Sequence, residues 1–284
     1  MPLVSVIIPV YNASSTLDRC VHSLLTNLFK DFEVIIIDDG SKDNSLHLAQ
    51  VWAKRDSRIR ILIEENLGVS HARNYGITKS KGQYIVFVDS DDFVKETYLS
   101  HLIQYTDYDL ACVGIDRYND DNREIENSIT HFSDCTFNLS DDKAEKYIID
   151  NDLLAVGYVS AKLYKKAIID KFGLRFNENI QNHEDHLFYL DYFSHCNQIA
   201  INHHADYHWC FHRASQSLSH SKPDYRSLFI AGKEFIDRFD FLFNQFNIKD
   251  SSYQHRILNE YGVGSLRAVI YYLILLNKSA PVKS

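Results

Sequence analysis

Residues 84 to 92 read YIVFVDSDD, an apolar run that ends in Asp89, Asp91 and Asp92. Carboxylates held this close repel, and one of them takes up a proton unless a cation lies between them. Hard oxygen ligands select Mg2+ or Mn2+, and such an ion keeps one or two protein carboxylates while phosphate oxygens and water fill its other positions. The spacing thus points to a divalent ion, and the ion to a phosphate-bearing ligand. Asp-x-Asp alone is common in solvated loops, so its weight depends on the elements that deliver it.

Those elements form a repeating strand–helix unit. Val4 to Pro9 is a β-branched run ended by proline, after which Ser14 or Ser15 offers an N-cap and Leu17, Val21, Leu24, Leu25 and Leu28 recur at helical spacing. Val34 to Ile37 make a second buried strand, closed by Asp38 and Asp39; Gly40 turns the chain, and Ser41 or Asp43 can cap a helix carrying Leu48, Val51 and Trp52. Ile59 to Ile63 form a third strand, Gly68 leads into a third helix, and Tyr84 to Val88 are the fourth strand. This alternation predicts an α/β fold with a Rossmann-like, mostly parallel sheet flanked by helices. Ligands of such sheets bind beyond the carboxyl ends of the strands, near the point where strand order reverses. Tyr11 and Asn12, Asp38 and Asp39, Glu65 and Asn66, and Asp89 to Asp92 all fall at those ends. One acidic loop there is commonly a solvated turn; four in succession favour a functional rim.

The chain has 284 residues, 45% of them hydrophobic, enough for one substantial core and a small appendage. Its net charge of -8 removes the long-range pull that nucleic acid exerts on basic proteins, so no nucleic-acid partner is expected. The first residues, MPLVSVIIPVYN, read at once as a strand and lack a basic leader region. The longest apolar run, Ala268 to Leu276, is nine residues, against about 20 needed to span a bilayer. A cytoplasmic protein follows, with any membrane contact peripheral and at the inner face. The five cysteines, Cys20, Cys112, Cys135, Cys196 and Cys210, are scattered without a Cys-x-x-Cys pair, which fits reduced thiols.

With these motifs in order, the sequence resembles the family 2 glycosyltransferases of the GT-A fold, especially bacterial enzymes that build surface polysaccharides and glycans. The resemblance covers roughly residues 3 to 220 and rests on VSVIIPVYN, VIIIDDGSKDNS, ENLGVSHARNYGI, GQYIVFVDSDD, SAKLYKK and HEDHLF. It implies a nucleotide-sugar donor, usually a UDP-sugar, and inversion at the anomeric carbon. It places Pro9, Val10, Tyr11 and Asn12 beside the nucleoside, Asp39 on the uracil imide, and Asn66, Arg73 and Ser90 near the nucleotide or its diphosphate. Asp89 would face the ribose or the metal, Asp91 would ligate Mn2+ or Mg2+, and Asp185 would be the catalytic base with Glu184 beside it. The acceptor would be a glycan, a lipid-linked sugar or a glycoprotein.

Each role makes chemical sense. A cation bridging the phosphates stabilises charge on the leaving diphosphate, and a carboxylate within about 3 Å of the acceptor hydroxyl takes its proton. Asp185 is expected in the first turn of a helix running to about Cys196, where the helix dipole favours its charged form. Plainer alternatives stand beside these roles: acids at a helix start for Glu184 and Asp185, an exposed helix residue for Arg73, an exposed lysine rather than an acceptor contact for Lys162. Asn74 reads as structural, and Ala72 and Gly76 as small residues that let their helix approach the sheet.

Eight of the fourteen histidines lie between residues 183 and 220. His204, His208 and His212 stand four apart, yet Tyr207, Trp209 and Phe211 alternate with His208, Cys210 and His212, the period of a strand rather than of a zinc-binding helix. By the resemblance, His212 would neighbour the metal, and Arg213 and Ser217 the diphosphate. The polar stretch YNDDNREIENS reads as an exposed turn, Ser140 as the cap of a helix through Asp150, and Leu163 to Phe172 as a helix stopped by Gly173.

The expected division is a GT-A domain over 1–220, with a nucleotide-sugar half (1–104) and an acceptor half (105–220), followed by a helical extension over 221–284. The extension carries Phe235, Ile236, Phe239 and Leu242 on one stripe and a second helical segment from Ile257 to Asn277. Packing on the main domain is the simplest use of that surface; self-association through these helices and an edge lying on a membrane are the others. Two further functions compete: a non-catalytic nucleotide- or glycan-binding subunit of a glycosyltransferase complex, and a phosphotransferase using Asp-x-Asp as nucleophile, which lacks a matching serine or lysine motif.

Overall fold

The computed structural model describes residues 1–211 and 225–269. Strands β1 (Val4–Val10), β2 (Phe32–Asp38), β3 (Ile59–Ile63) and β4 (Tyr84–Phe87) lie parallel in the order β3-β2-β1-β4. Every residue of β1 and β2 is buried, as expected of β-branched runs covered on both faces. Strand order reverses between β1 and β4, which puts the crevice beyond their carboxyl ends.

The crossover helices are α1 (Leu17–Leu25), α2 (Ser45–Arg55) and α3 (Val69–Lys79). Their ends differ from the sequence expectation. Helix α1 is preceded by Thr16, not capped by Ser14 or Ser15, and stops before Leu28, which is 58% exposed. The Ser14 N–H instead donates to Asp43, whose other oxygen accepts from the Ser45 N–H, so Asp43 anchors two loops rather than capping a helix. Helix α2 buries Ser45 and Ala49, while Val51 and Trp52 are only partly covered. Helix α3 meets the sheet at Ala72 and Gly76; a Cβ on Gly76 would fall 2.6 Å from Ile7 Cγ2, so glycine there permits the close approach.

Beyond β4 the chain forms β5 (Phe93–Val94), α4 (Tyr98–Ile103), β6 (Leu110–Asn119), β7 (Glu124–Ser128), β8 (Cys135–Asn138), α5 (Ala144–Asp150), β9 (Lys162–Lys165), α6 (Lys166–Phe172), α7 (Glu184–Phe193) and β10 (Gln198–Phe211). Strand β9 enters antiparallel between β4 and β6, and β10 runs parallel to β6, extending one sheet across the molecule. YNDDNREIENS is the β6–β7 hairpin, as its composition suggested. Two expectations are corrected here. Ser140 caps nothing, since α5 starts after Lys143; and Leu163 to Lys165 belong to a strand, so the helix that Gly173 terminates at φ +64° spans only α6. Phe87 sits fully buried among Tyr164, Phe176 and Phe188 with edge-on ring contacts of 5.3 to 5.9 Å, locking the new strand and helix onto the parallel half.

Helix α8 (Tyr225–Gln245) packs against α7, and α9 (Ser251–Ile257) continues into a π-helical stretch, Leu258–Val263. Phe235, Phe239 and Leu242 join the core, as their spacing predicted, whereas Phe229 and Phe241 remain exposed. No described helix is long and apolar enough to cross a membrane.

Candidate functional site

The rim at the carboxyl ends is built by short loops tied to one another. Pro9 and Val10 lie inside the sheet, and it is Tyr11 and Asn12 that emerge, Tyr11 at 47% exposure. Asn12 takes a left-handed backbone (φ +51°), donates its N–H to Ser41 Oγ and accepts the Lys42 N–H at 2.7 Å. The Asp39 N–H donates to Val10 O, and the Asp39 carboxylate accepts from the N–H groups of Leu67 (2.6 Å) and Gly68 (2.8 Å). Asp39 therefore fixes the loop containing Asn66, itself exposed with φ +48° and 3.0 Å from where a Cβ on Gly40 would stand. A carboxylate has about four acceptor positions. Two of them on Asp39, which is itself buried, hold the loop, and acceptor capacity remains on the carboxylate.

Arg73, from α3, is the hub. It is buried, and its two terminal nitrogens donate to Asp89 Oδ1 and Glu184 Oε1, each at 2.9 Å, with the guanidinium 5.3 Å from the Phe176 ring centre. The exposed-helix alternative is thereby corrected. Burial works against its charge, but Asp89, Glu184 and Asp185 outweigh that and hold its proton more tightly than in an ordinary arginine. Asn74, next in sequence, donates to Phe176 O and accepts the Phe176 N–H, a structural use in line with the sequence reading.

Glu184 and Asp185 open α7 behind His183, which has φ +72°. Burial and the neighbouring Asp185 raise Glu184 to about 7, against the pull of Arg73. Burial also raises Asp185 above its ordinary value, opposed by Arg73 and by the His186 N–H that donates to it at 2.8 Å. The expected preference of a helix start for the charged carboxylate is thus overridden: removal from water costs more than one turn of dipole returns.

The acidic loop divides its carboxylates. Asp92 is buried, accepting the Tyr207 hydroxyl at 2.5 Å and the Cys210 N–H at 2.7 Å, and burial with repulsion from Asp91 and Asp89 raises it well above the carboxylate range. Asp91 opens to solvent, Asp89 and Ser90 are half-buried. Desolvation in the recess and the charge of Asp89 push Asp91 up to about 6, a shift that water on its open side moderates. Asp91, open to solvent, and the oxygen of Asp89 that Arg73 does not hold could serve a hard divalent ion that brings its remaining ligands from elsewhere. The described residues contain no group of three or more metal-ligating side chains, so an ion here would depend on non-protein ligands or on residues outside those described.

Sequence reasoning missed one support, Arg19, and left a second, Lys162, between an acceptor contact and an exposed lysine. Arg19 on α1 donates to the Asp91 carbonyl at 2.8 Å and pairs with Asp120 on the β6–β7 turn, its guanidinium 4.9 Å from the Phe93 ring centre. Nothing in its local sequence separates it from an ordinary helix arginine. Lys162 is fully buried, not exposed; its ammonium donates to Tyr158 O, lies 4.7 Å from the Tyr189 ring centre, and is lowered to about 8 by desolvation. His212, Arg213 and Ser217 lie outside the described residues.

Comparison with known proteins adds the family context. The sequence model described as glycosyl transferase family 2 matches residues 5–173. The uncharacterized glycosyltransferase EpsJ of Bacillus subtilis is 32% identical over 210 residues, 71% of this chain and 59% of that protein, so the match spans under two thirds of EpsJ's length. Among solved structures, S. aureus TarS 1–349 in complex with UDP-GlcNAc superposes with a TM-score of 0.69 at 20% identity, covering 93% of this chain and 72% of that one. The mannosyltransferase PcManGT from Pyrobaculum calidifontis, in complex with GDP-Man and Mn2+, has a TM-score of 0.61 at 12% identity, covering 99% of this chain and 76% of that one. At such identities the structural likeness is one of fold, that of GT-A glycosyltransferases.

Proposed function

This chain belongs to glycosyl transferase family 2, and we propose that it transfers a sugar from a UDP-sugar to a hydroxyl of a glycan, lipid-linked or glycoprotein acceptor, with inversion at the anomeric carbon. The observation that carries this reading is the Arg73 bridge, which ties the acidic loop after β4 to the helix start bearing Asp185. The UDP-GlcNAc bound to TarS, and the GDP-Man with Mn2+ bound to PcManGT, support a nucleotide-sugar donor and a divalent ion here. Residues 1–104 then serve the donor and 105–220 the acceptor.

Tyr11, Asn12 and the remaining acceptor capacity of Asp39 receive the nucleoside. Asp89 and Asp91 would hold Mn2+ or Mg2+, which when bound supplies positive charge for the departing diphosphate. Asp185 takes the proton of the acceptor hydroxyl as that oxygen attacks the far face of the donor sugar. Its raised affinity for a proton makes it a stronger base than a surface aspartate, and Arg73 keeps enough of it ionised to act. Arg73 also holds Glu184, the chain neighbour of this base, with the same guanidinium that orients Asp89.

The test is UDP release from a panel of UDP-sugars with Mn2+, in the wild-type protein and in Asp185→Asn. The expected result is release by the wild type and, in the variant, retained UDP binding with turnover lower by about 100-fold or more. Wild-type silence across the panel, or a variant that turns over normally, would overturn the reading; the first outcome together with intact UDP binding would favour a non-catalytic nucleotide-binding subunit.

A further inference from the structure

The reaction proposed above needs a surface that holds the acceptor against Asp185, and the segment Gly157 to Ala161 runs where such a surface must be. Ser160 forms a parallel bridge with Phe87, the last residue of β4, one residue short of the Val88–Asp89 step into the acidic loop. At its other end the segment leans on α7: a Cβ on Gly157 would fall 2.0 Å from His186 Cγ, and His186 directly follows Asp185. From beneath, the buried Lys162 ammonium donates to the Tyr158 carbonyl. The backbone at 158 is therefore fixed between the donor loop and the base by contacts to three separate elements.

On this pinned backbone the residues do not behave alike. Val159 and Ser160 are 2% and 6% exposed, whereas Tyr158 as a whole residue is 39% exposed. A partly exposed aromatic residue whose backbone is already immobilised loses little freedom on binding, and a ring with an apolar face and one polar end suits a ligand that is flat and apolar on one side and polar at its edge. A pyranose has this character: axial C–H groups on a face, hydroxyls around the rim.

We propose that Tyr158 is the floor of the acceptor subsite, stacking against the pyranose ring whose hydroxyl Asp185 deprotonates. This rests on the transferase reading above and names the chemical class of its acceptor. The electrostatics agree with the placement: partial burial, then the charges of Asp185 and Glu260, hold the Tyr158 phenol above its ordinary value, so the ring shares the field of the base. Lys162 acts through Tyr158 as a positioning residue.

The experiment measures UDP release from the preferred UDP-sugar with Mn2+, without acceptor and with methyl and p-nitrophenyl β-glycosides of glucose, galactose and N-acetylglucosamine as probes. UDP affinity is measured in parallel by calorimetry for wild type, Y158F and Y158A. The expected result is glycoside-stimulated release in wild type and Y158F, and a loss of about tenfold or more in that stimulation in Y158A with UDP affinity within about twofold of wild type. Unchanged stimulation in Y158A would overturn the proposal, as would a Y158A protein that loses UDP binding together with stimulation, since Tyr158 would then be structural. Wild-type release that no pyranoside stimulates also overturns it while leaving the transferase reading standing; no release and no UDP binding in the wild type removes that reading and this inference with it.

Discussion

Arg73 and Glu184, 111 residues apart in sequence, meet through a 2.9 Å ion pair inside the protein, and the same guanidinium reaches Asp89 at 2.9 Å. Replacing Arg73 by Met leaves Glu184 buried without its counter-charge. Unfolding in urea should show a loss of about 3–5 kcal/mol relative to wild type. Arg73→Lys keeps a charge but not the two-pronged geometry, so it should recover part of that stability while UDP release stays low. A variant R73M as stable as wild type would mean the bridge contributes nothing to the fold.

Glu184 also sets a pH dependence of stability. Its proton is held more tightly in the folded protein, at about 7 against an ordinary 4.5. The folded state therefore binds more protons than the unfolded chain across that window, and stability declines as pH rises from about 4.5 through about 7. Urea midpoints measured across this range should fall in wild type and fall less steeply in Glu184→Gln. A wild-type midpoint that rises over the window would contradict the environment described for this carboxyl.

Asp91, pushed up to about 6, should couple proton and cation binding. Mn2+ affinity, followed by calorimetry or by the free-ion resonance signal in the presence of UDP, should weaken as pH drops below about 6. Asp91→Asn should bind Mn2+ more weakly at neutral pH and lose this pH dependence. Chelation by EDTA should abolish UDP release in the wild type and be reversed by added Mn2+. Mn2+ affinity that is flat from pH 5 to 8, within error, would remove Asp91 from the ion's site.

Lys162 places a buried charge where an apolar side chain of similar length would fit. Desolvation lowers it to about 8 from an ordinary 10.5, so the folded state holds its proton less firmly and stability should rise with pH between those values. Lys162→Met should erase that rise and unfold at an equal or higher temperature at pH 7. It should also weaken glycoside-stimulated UDP release, because the Tyr158 carbonyl loses its donor. A marked fall in melting temperature would show that the ammonium stabilises the core.

The parallel half of the fold was legible because its signal is local. Val4 to Pro9, Val34 to Ile37, Ile59 to Ile63 and Tyr84 to Val88 are β-branched or aromatic runs, each followed by polar residues at the rim, and chain order alone dictates their crossovers. Helix α7 was readable from its acidic first turn. Strand β9 was misread as helix because KLYKK shows no alternation: Lys162 counts as polar in any pattern, and only the packed sheet reveals that its stem and ammonium are interior. The Ser14, Ser15 and Ser140 caps failed because competing acceptors or later starts displaced them, a choice made by tertiary contacts. Arg19 and Arg73 were decided at the longest range, by partners about a hundred residues away, Asp120 and Glu184.

The wiring of Asp92 to Tyr207 and Cys210 has an arithmetic result. Of the three acids the stretch spells, β10 retains one, and Arg73 has already claimed an oxygen of a second, Asp89. Only Asp91 is left facing open water. A visitor arriving from solution therefore greets a single unclaimed charge first, and the other two belong to the scaffold that aims it.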